Sequence, residues 1–231
     1  MARTRKNSIA KFNNHLTERQ KEVKNSLKNL TVATFNGRAG SGKSSLAVNY
    51  SYEQLCMKEV EKIFITRATA MRRKDDLGFL AGSADEKMMP WFVPIFDAIY
   101  KLEPPTGEKD KVQELMKEKK LEIVPLAFLQ GRTFENAIVI VDEYQNLDDK
   151  DLEGLLTRIG KNCKMIFAGD FRQSLVYNSG IHTLNEACDE LDEMENFWFE
   201  ENFRHPIVEK IIDFYEEKQK EKQREKEDEE R

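Results

Sequence analysis

Gly37-Arg38-Ala39-Gly40-Ser41-Gly42-Lys43-Ser44 is the stretch on which the reading of this chain turns. Gly37 and Gly42 bracket four residues and are followed at once by Lys43 and Ser44, the spacing of a loop that grips a polyphosphate. Glycines let successive backbone N–H groups converge on an anion. Gly37, Arg38, Ala39, Gly40, Ser41 and Gly42 are therefore candidate phosphate-binding residues, continued by Lys43, Ser44 and Ser45. A helix starting here adds the positive end of its dipole. Lys43 has the reach for the β- and γ-phosphates, and Ser44 offers a hydroxyl to a magnesium ion.

The flanks decide whether such a pattern is more than a glycine-rich turn. Leu30–Phe35 carries β-branched and aromatic residues and reads as a buried strand. Ser45–Met57 places Leu46, Ala47, Tyr50, Gln54 and Leu55 at helical spacing, without proline. Strand, loop and helix follow in the required order, so a nucleoside triphosphate is the expected ligand.

A second half of the site is expected at Ala137-Ile138-Val139-Ile140-Val141, an uninterrupted apolar run suited to a central parallel strand. It ends in Asp142-Glu143. Asp142, with Ser44, is the candidate magnesium ligand, and Glu143 the candidate general base for the attacking water. The base-reading motif of a GTPase, Asn-Lys-X-Asp, does not occur, so a GTPase is not expected.

Other strands deliver further polar groups to the same edge, where doubly wound sheets bind ligands. Glu61–Thr66 is a strand ending in Arg67, with Arg72 and Arg73 beyond it. These cations are candidates for nucleic-acid backbone contacts, against the ordinary reading of solvated surface charge. Leu121–Ala127 reads as another strand, and the loop 128–134 after it adds Arg132 to that set. Lys164–Ala168 finishes in Gly169-Asp170-Phe171-Arg172-Gln173, which makes Gln173 a candidate γ-phosphate sensor. Glu195–Glu200 is the last strand and leads to Arg204, a candidate transition-state finger in cis or across a subunit boundary. A structural ion pair is the alternative for Arg204.

Helices are expected at Leu16–Val23, Glu86–Leu102, Asp148–Ile159, Ser179–Leu191 and Ile207–Tyr215, with a loop and a short exposed helix in Glu103–Lys120. Trp91, Phe92, Ile95, Phe96, Ile99 and Tyr100 form an apolar stripe that fits core rather than base stacking. In the first helix Thr17 and Gln20 have capping-box spacing. Gln20 has a second reading, a hydrogen bond to adenine of the kind helicase-like ATPases make from a helix ahead of the loop.

Composition bounds the rest. With 39% hydrophobic and 34% charged residues over 231 positions, the chain suits one large α/β domain with polar extensions. The expected organisation is a flexible basic arm at 1–15, a folded unit at 16–215 and a charged tail at 216–231. That tail carries eight acids against six bases, so the net charge of -5 overstates the acidity of the folded body. Cys56, Cys163 and Cys188 lack metal spacing and read as reduced thiols of a cytoplasmic protein. No apolar run approaches the length of a membrane span, and no apolar signal core opens the chain, so neither membrane insertion nor export is expected.

Taken in order, several segments resemble the PhoH family, phosphate-starvation-inducible ATPases related to superfamily-one helicases. They are the glycine-rich loop, Leu77-Gly78-Phe79-Leu80, Pro125-Leu126-Ala127-Phe128, Gly131-Arg132-Thr133, Asp142-Glu143-Tyr144-Gln145-Asn146, Leu156-Thr157-Arg158-Ile159-Gly160, Gly169-Asp170-Phe171-Arg172-Gln173 and Arg204-His205-Pro206. The resemblance implies a RecA-like P-loop NTPase core with a mainly parallel sheet flanked by helices. It also implies ATP and Mg2+ as cofactors and action on RNA or single-stranded DNA by translocation or unwinding. Departures occur at Ala68, Ala81, Gln130 and Tyr144, where the family usually has Pro, Pro, Arg and Ala. The short, tail-heavy form resembles bacteriophage members, for which the compartment would be the host cytoplasm. A single RecA-like core supplies one wall of an ATP site, so a homo-oligomer, a hexameric ring, is expected to complete it. A nucleotide-dependent switch that recruits a partner, and a small-molecule kinase, are the competing readings.

Overall fold

The computed structural model describes residues 13, 15–68, 84–105, 110–129, 131–174, 179–201, 203, 205–208, 210–215 and 217–218. Along the chain these give α1 (Glu18–Ser26), β1 (Val32–Gly37), α2 (Lys43–Met57), β2 (Lys62–Arg67), α3 (Ala84–Leu102) and α4 (Lys111–Lys117). There follow β3 (Leu121–Ile123), α5 (Leu126–Leu129), β4 (Ala137–Asp142), α6 (Asp149–Leu156), β5 (Cys163–Gly169), α7 (Ile181–Glu190) and β6 (Met194–Phe199). Three-residue 3-10 turns at Tyr144–Asn146 and Phe171–Gln173 leave the ends of β4 and β5.

The strands form one six-stranded sheet in the order β3-β2-β4-β5-β1-β6. Every pairing within it is parallel. It is the α/β architecture expected, a parallel sheet with helices on both faces. Parallel strands need such cover, because helical crossovers place apolar surface on each side. The central strand shows it: all six residues of β4 are buried. Ile138 and Ile140 face one core with Leu46, Phe92 and Ile99, while Val139 and Val141 face the other with Leu152, Phe167 and Leu184. Alternation along a strand enforces that division.

Two local expectations are corrected and a third is qualified. The strand expected over Leu121–Ala127 stops at Ile123, because Pro125 has no N–H for the ladder, and α5 begins directly after it. The helix expected to be exposed in Glu103–Lys120 is instead docked. Val112 and Leu115 of α4 are buried at 2% and 3% exposure, and the Asp110 side chain caps the helix by accepting from the N–H groups of Val112 and Gln113. The apolar stripe of α3 is core, as its spacing indicates, yet that helix also carries Pro90 and Pro94 in its interior. Each removes an intrahelical hydrogen bond, so packing rather than propensity sustains α3.

The C-terminal stretch is helical at 206–208 and 210–215, where Ile207, Ile211, Phe214 and Tyr215 are exposed. Among the described residues no helix is long and apolar enough to cross a membrane.

Candidate nucleotide site

β1 ends in the glycine-rich loop, and the chain enters α2 at Lys43 without a side-chain cap. The first turn of α2 therefore keeps its N–H groups turned toward the loop. Gly42 sits at φ 83°, in the left-handed region. A Cβ there would also lie 2.8 Å from Gln20 Nε2 and 3.2 Å from the Phe203 ring, so only glycine suits the position. Lys43 is 8% exposed and folds back over the loop, donating to the carbonyls of Gly37 (2.7 Å) and Arg38 (2.8 Å) and to Ser41 Oγ (3.1 Å). The cation is thus held inside the curve of the loop by the loop's own oxygens.

Across the sheet, β4 delivers Asp142 and Glu143. Ser44 Oγ donates to Asp142 Oδ1 at 2.8 Å, which joins the two halves read from the sequence. Burial pushes the Asp142 carboxyl above the usual carboxylate range, opposed mainly by the Arg67 guanidinium. Arg67, at the end of β2, lies 3.5 Å from Asp142 Oδ2 and 3.0 Å from Glu143 Oε1, and donates to the Trp91 carbonyl of α3 at 2.6 Å. Glu143 itself adopts φ 57°, ψ 35°. A left-handed glutamate costs on the order of 1–3 kcal/mol, strain that tends to be kept where a side chain must be aimed.

The tip of β5 ties the two halves together, since β5 lies between β4 and β1. Asp170 Oδ2 accepts from the Ala39 N–H of the loop (3.1 Å) and from Gln173 Nε2 (3.2 Å). Gln145, buried at 1% exposure, donates to Glu143 Oε2 at 2.7 Å and accepts from the Asp170 N–H at 3.2 Å. A continuous polar path thus runs from Glu143 through Gln145 and Asp170 to the loop. Gly169 makes room for it, because a Cβ there would meet Gln145 Oε1 at 2.5 Å and the Tyr144 ring at 2.7 Å. Tyr144, where the related motif usually has Ala, is fully buried, and its hydroxyl donates to Asn36 Oδ1 at 2.6 Å.

These groups border a cavity of about 580 Å³ at the C-terminal edge of the sheet. Lys43, Ser44, Asp142, Glu143, Gln173 and Gln20 all line it. Gln20 keeps both of its readings open: its carbonyl closes a capping box with Thr17, and its amide end lies beside Gly42 at the cavity wall. Pro94, Ile95, Asp97 and Lys101 of α3 form the facing wall, and Phe203, whose N–H donates to the Gly40 carbonyl, closes the loop side. Arg38 turns outward to an ion pair with Asp213 at 2.8 Å.

The cationic set divides. Arg67 is gathered into the carboxylate pair. Arg132 is not brought to this edge: its guanidinium lies 4.5 Å from the Phe64 ring centroid over the sheet face and 3.4 Å from Glu122. The α5 turn reverses the chain after β3 and carries Arg132 back toward the start of β4. Arg72, Arg73 and Arg204 lie outside the described residues, as does Leu77-Gly78-Phe79-Leu80. Sequence reasoning assigned no role to Gln145 or Phe203. Gln145 had a signal, its place two residues after Glu143 in the carboxylate motif. Phe203 had none, because only the fold sets it against Gly42.

Comparison with known proteins places the chain. Residues 14–216 match the family model described as PhoH, PhoH-like protein. A PhoH-like protein of Synechocystis sp. is 34% identical over 224 residues, 95% of this chain and 66% of its own length. A PhoH-like protein of Bacillus subtilis is 34% identical, covering 92% of this chain and 67% of its own length. Protein PhoH of Escherichia coli K12 is 35% identical over 73% of this chain and 46% of its own length. The chain therefore spans between about half and two thirds of these relatives. Among solved structures, the crystal structure of the Pif1 helicase from Candida albicans aligns with a TM-score of 0.43 and 16% identity, over 86% of this chain and 42% of that one.

Proposed function

The chain belongs to the PhoH family of P-loop NTPases, and on that footing we propose that it is a magnesium-dependent ATPase that couples hydrolysis to movement along, or unwinding of, RNA or single-stranded DNA. The observation that carries this reading is the 2.8 Å hydrogen bond from Ser44 to Asp142, made at the mouth of a loop that already cradles Lys43. It sets a hydroxyl and a buried carboxylate side by side, the donor pair that magnesium takes from a protein when phosphates and water complete its shell. The residues present fit that ion, and when bound it would neutralise charge on the β- and γ-phosphates.

The chain's own groups supply the rest. Lys43 leaves the Gly37 and Arg38 carbonyls for the phosphates. Glu143, steadied on one oxygen by Arg67 and on the other by Gln145, orients a water and takes its proton. Gln173, exposed and held by Asp170, senses the γ-phosphate, and a change there passes through Asp170 to the Ala39 amide. Arg204 acts as the transition-state finger. Because one such core walls only one side of the nucleotide, the reading includes a homo-oligomer, a hexameric ring, in the cytoplasm. Residues 16–215 are the ATPase unit, with the arm at 1–15 and the tail at 216–231 outside it.

ATP turnover of the purified chain, with and without RNA at low salt, tests the proposal. Lys43→Ala is expected to lose ATP binding. Glu143→Gln is expected to bind ATP normally while turnover falls at least a hundredfold, the smaller end of what a general base contributes. Equal rates with and without polynucleotide would remove the nucleic-acid half of the reading, and native turnover in Glu143→Gln would remove the assignment of the base.

A further inference from the structure

The edge strand β6 alternates in an unusual way. Phe197 and Phe199 enter the core at 1% and 2% exposure, while Trp198 between them is 45% exposed. Its ring does not stand alone. Phe171, 39% exposed at the tip of β5, meets it edge to face with centroids 5.6 Å apart, and the Arg172 guanidinium lies 5.3 Å from the Phe171 centroid. Two aromatic rings and a planar cation are thus gathered on the surface, beside the nucleotide cavity but not lining it.

The 3-10 turn Phe171–Gln173 explains the position. At three residues per turn, successive side chains point about a third of a circle apart. Gln173 faces the cavity, while Phe171 faces Trp198. The acid of the turn, Asp170, is directed inward to the Ala39, Arg172 and Gln173 donors rather than onto the aromatic surface. Exposed π-faces joined to an arginine plane match the chemistry of an unpaired nucleobase, which stacks on aromatic rings irrespective of its identity.

We propose that Phe171, Trp198 and Arg172 form a stacking platform for a base of single-stranded nucleic acid, mounted on the back of the turn that offers Gln173 to the nucleotide. The proposal rests on the nucleic-acid reading above and gives it a place. It also supplies a route for coupling: a base that moves Phe171 rotates a three-residue turn, and with it Gln173 and the Asp170 contact to the loop.

The test uses the full chain with oligo(U) and oligo(dT) as probes, reading binding by anisotropy and tryptophan emission, together with ATPase rate and elution volume. The chain has two tryptophans, Trp91 and Trp198, so emission from Trp198 is isolated in a Trp91→Phe background. Oligonucleotide is expected to quench that emission. Trp198→Ala and Phe171→Ala are each expected to weaken binding about tenfold, the order of one lost base stack, and to abolish polynucleotide stimulation while ATPase without polynucleotide stays within about twofold. Trp198→Phe, the milder change, is expected to keep most of the affinity and so separates stacking from folding. Native binding in both alanine variants overturns the platform. A shifted elution volume with unchanged affinity also overturns it, making the patch a subunit contact. Absence of oligonucleotide binding by the native chain refutes the nucleic-acid reading itself, and the platform falls with it.

Discussion

Replacing Gln145 by Met isolates the polar path between Glu143, the proposed general base, and the loop. Methionine keeps the length of the side chain but offers neither of the two hydrogen bonds. One lost bond is the 2.7 Å donation to Glu143, whose side chain is 32% exposed, so water can take that place. The other lost bond leaves the Asp170 N–H, which is buried, without its acceptor. A buried unsatisfied backbone donor costs about 1–3 kcal/mol. Taking about 2 kcal/mol, a domain of this size should melt roughly 4–8 °C lower. Turnover should fall further than stability explains. Glu143 keeps its contact to Arg67 but loses the one that fixes its second oxygen, and a general base contributes about 10²–10⁴ in rate. Losing part of that gives a kcat about 10–100-fold lower. Gln145 does not line the cavity, so KM for ATP should hold within about twofold. Steady-state ATPase kinetics below the melting transition, paired with thermal melts, measure both quantities. A native kcat, or a loss confined to KM, would refute the assignment of Gln145 as the residue that positions Glu143.

Two further outcomes follow from the same geometry. Gly169→Ala puts a methyl within 2.5 Å of Gln145 Oε1, so it should reproduce the kcat loss of Gln145→Met although it removes no polar group; ATPase kinetics on the folded variant check it. At the start of β5, burial lowers the pKa of Lys164 to about 8 from its ordinary 10.5. Between those values the unfolded chain binds more protons than the folded one, so this group makes stability rise with pH there and costs stability below. Lys164→Met should therefore melt higher than the native chain at pH 7, and the difference should shrink as the pH is raised from 8 to 10.5.

What the sequence made legible was whatever a single strand end dictates. The strand, loop and helix around Gly37–Ser44 are local chemistry, and the β-branched run ahead of Asp142 could be little else than a central strand. Across-strand relations were harder. Gln145 acquires its role only because β5 brings the Asp170 amide beside it. Arg132 could be assigned to the ligand edge from sequence because the α5 reversal after Pro125 leaves no periodic trace over four residues. The docking of α4 was hidden for another reason. Its buried positions include Lys111, a charged residue paired with Glu114, so charge counting read the segment as exposed. Trp198 was counted among strand aromatics, and only the edge position of β6 reveals that one of three successive aromatics has no core to enter.

The interposed strand has a consequence for divergence. Neighbouring strands lie about 4.8 Å apart, so placing β5 between β1 and β4 holds the ends of those two strands roughly 10 Å from each other, a distance the side chains of Ser44 and Asp142 bridge. That gauge is fixed by main-chain ladders, which every side chain can satisfy. Relatives sharing about a third of their residues can therefore repack both cores while the spacing of the strand ends beneath the glycine loop is kept. What such drift must spare is the register of β5, since a slip of one position would turn Phe167 and Ala168 to opposite faces and withdraw Asp170 from beneath the loop.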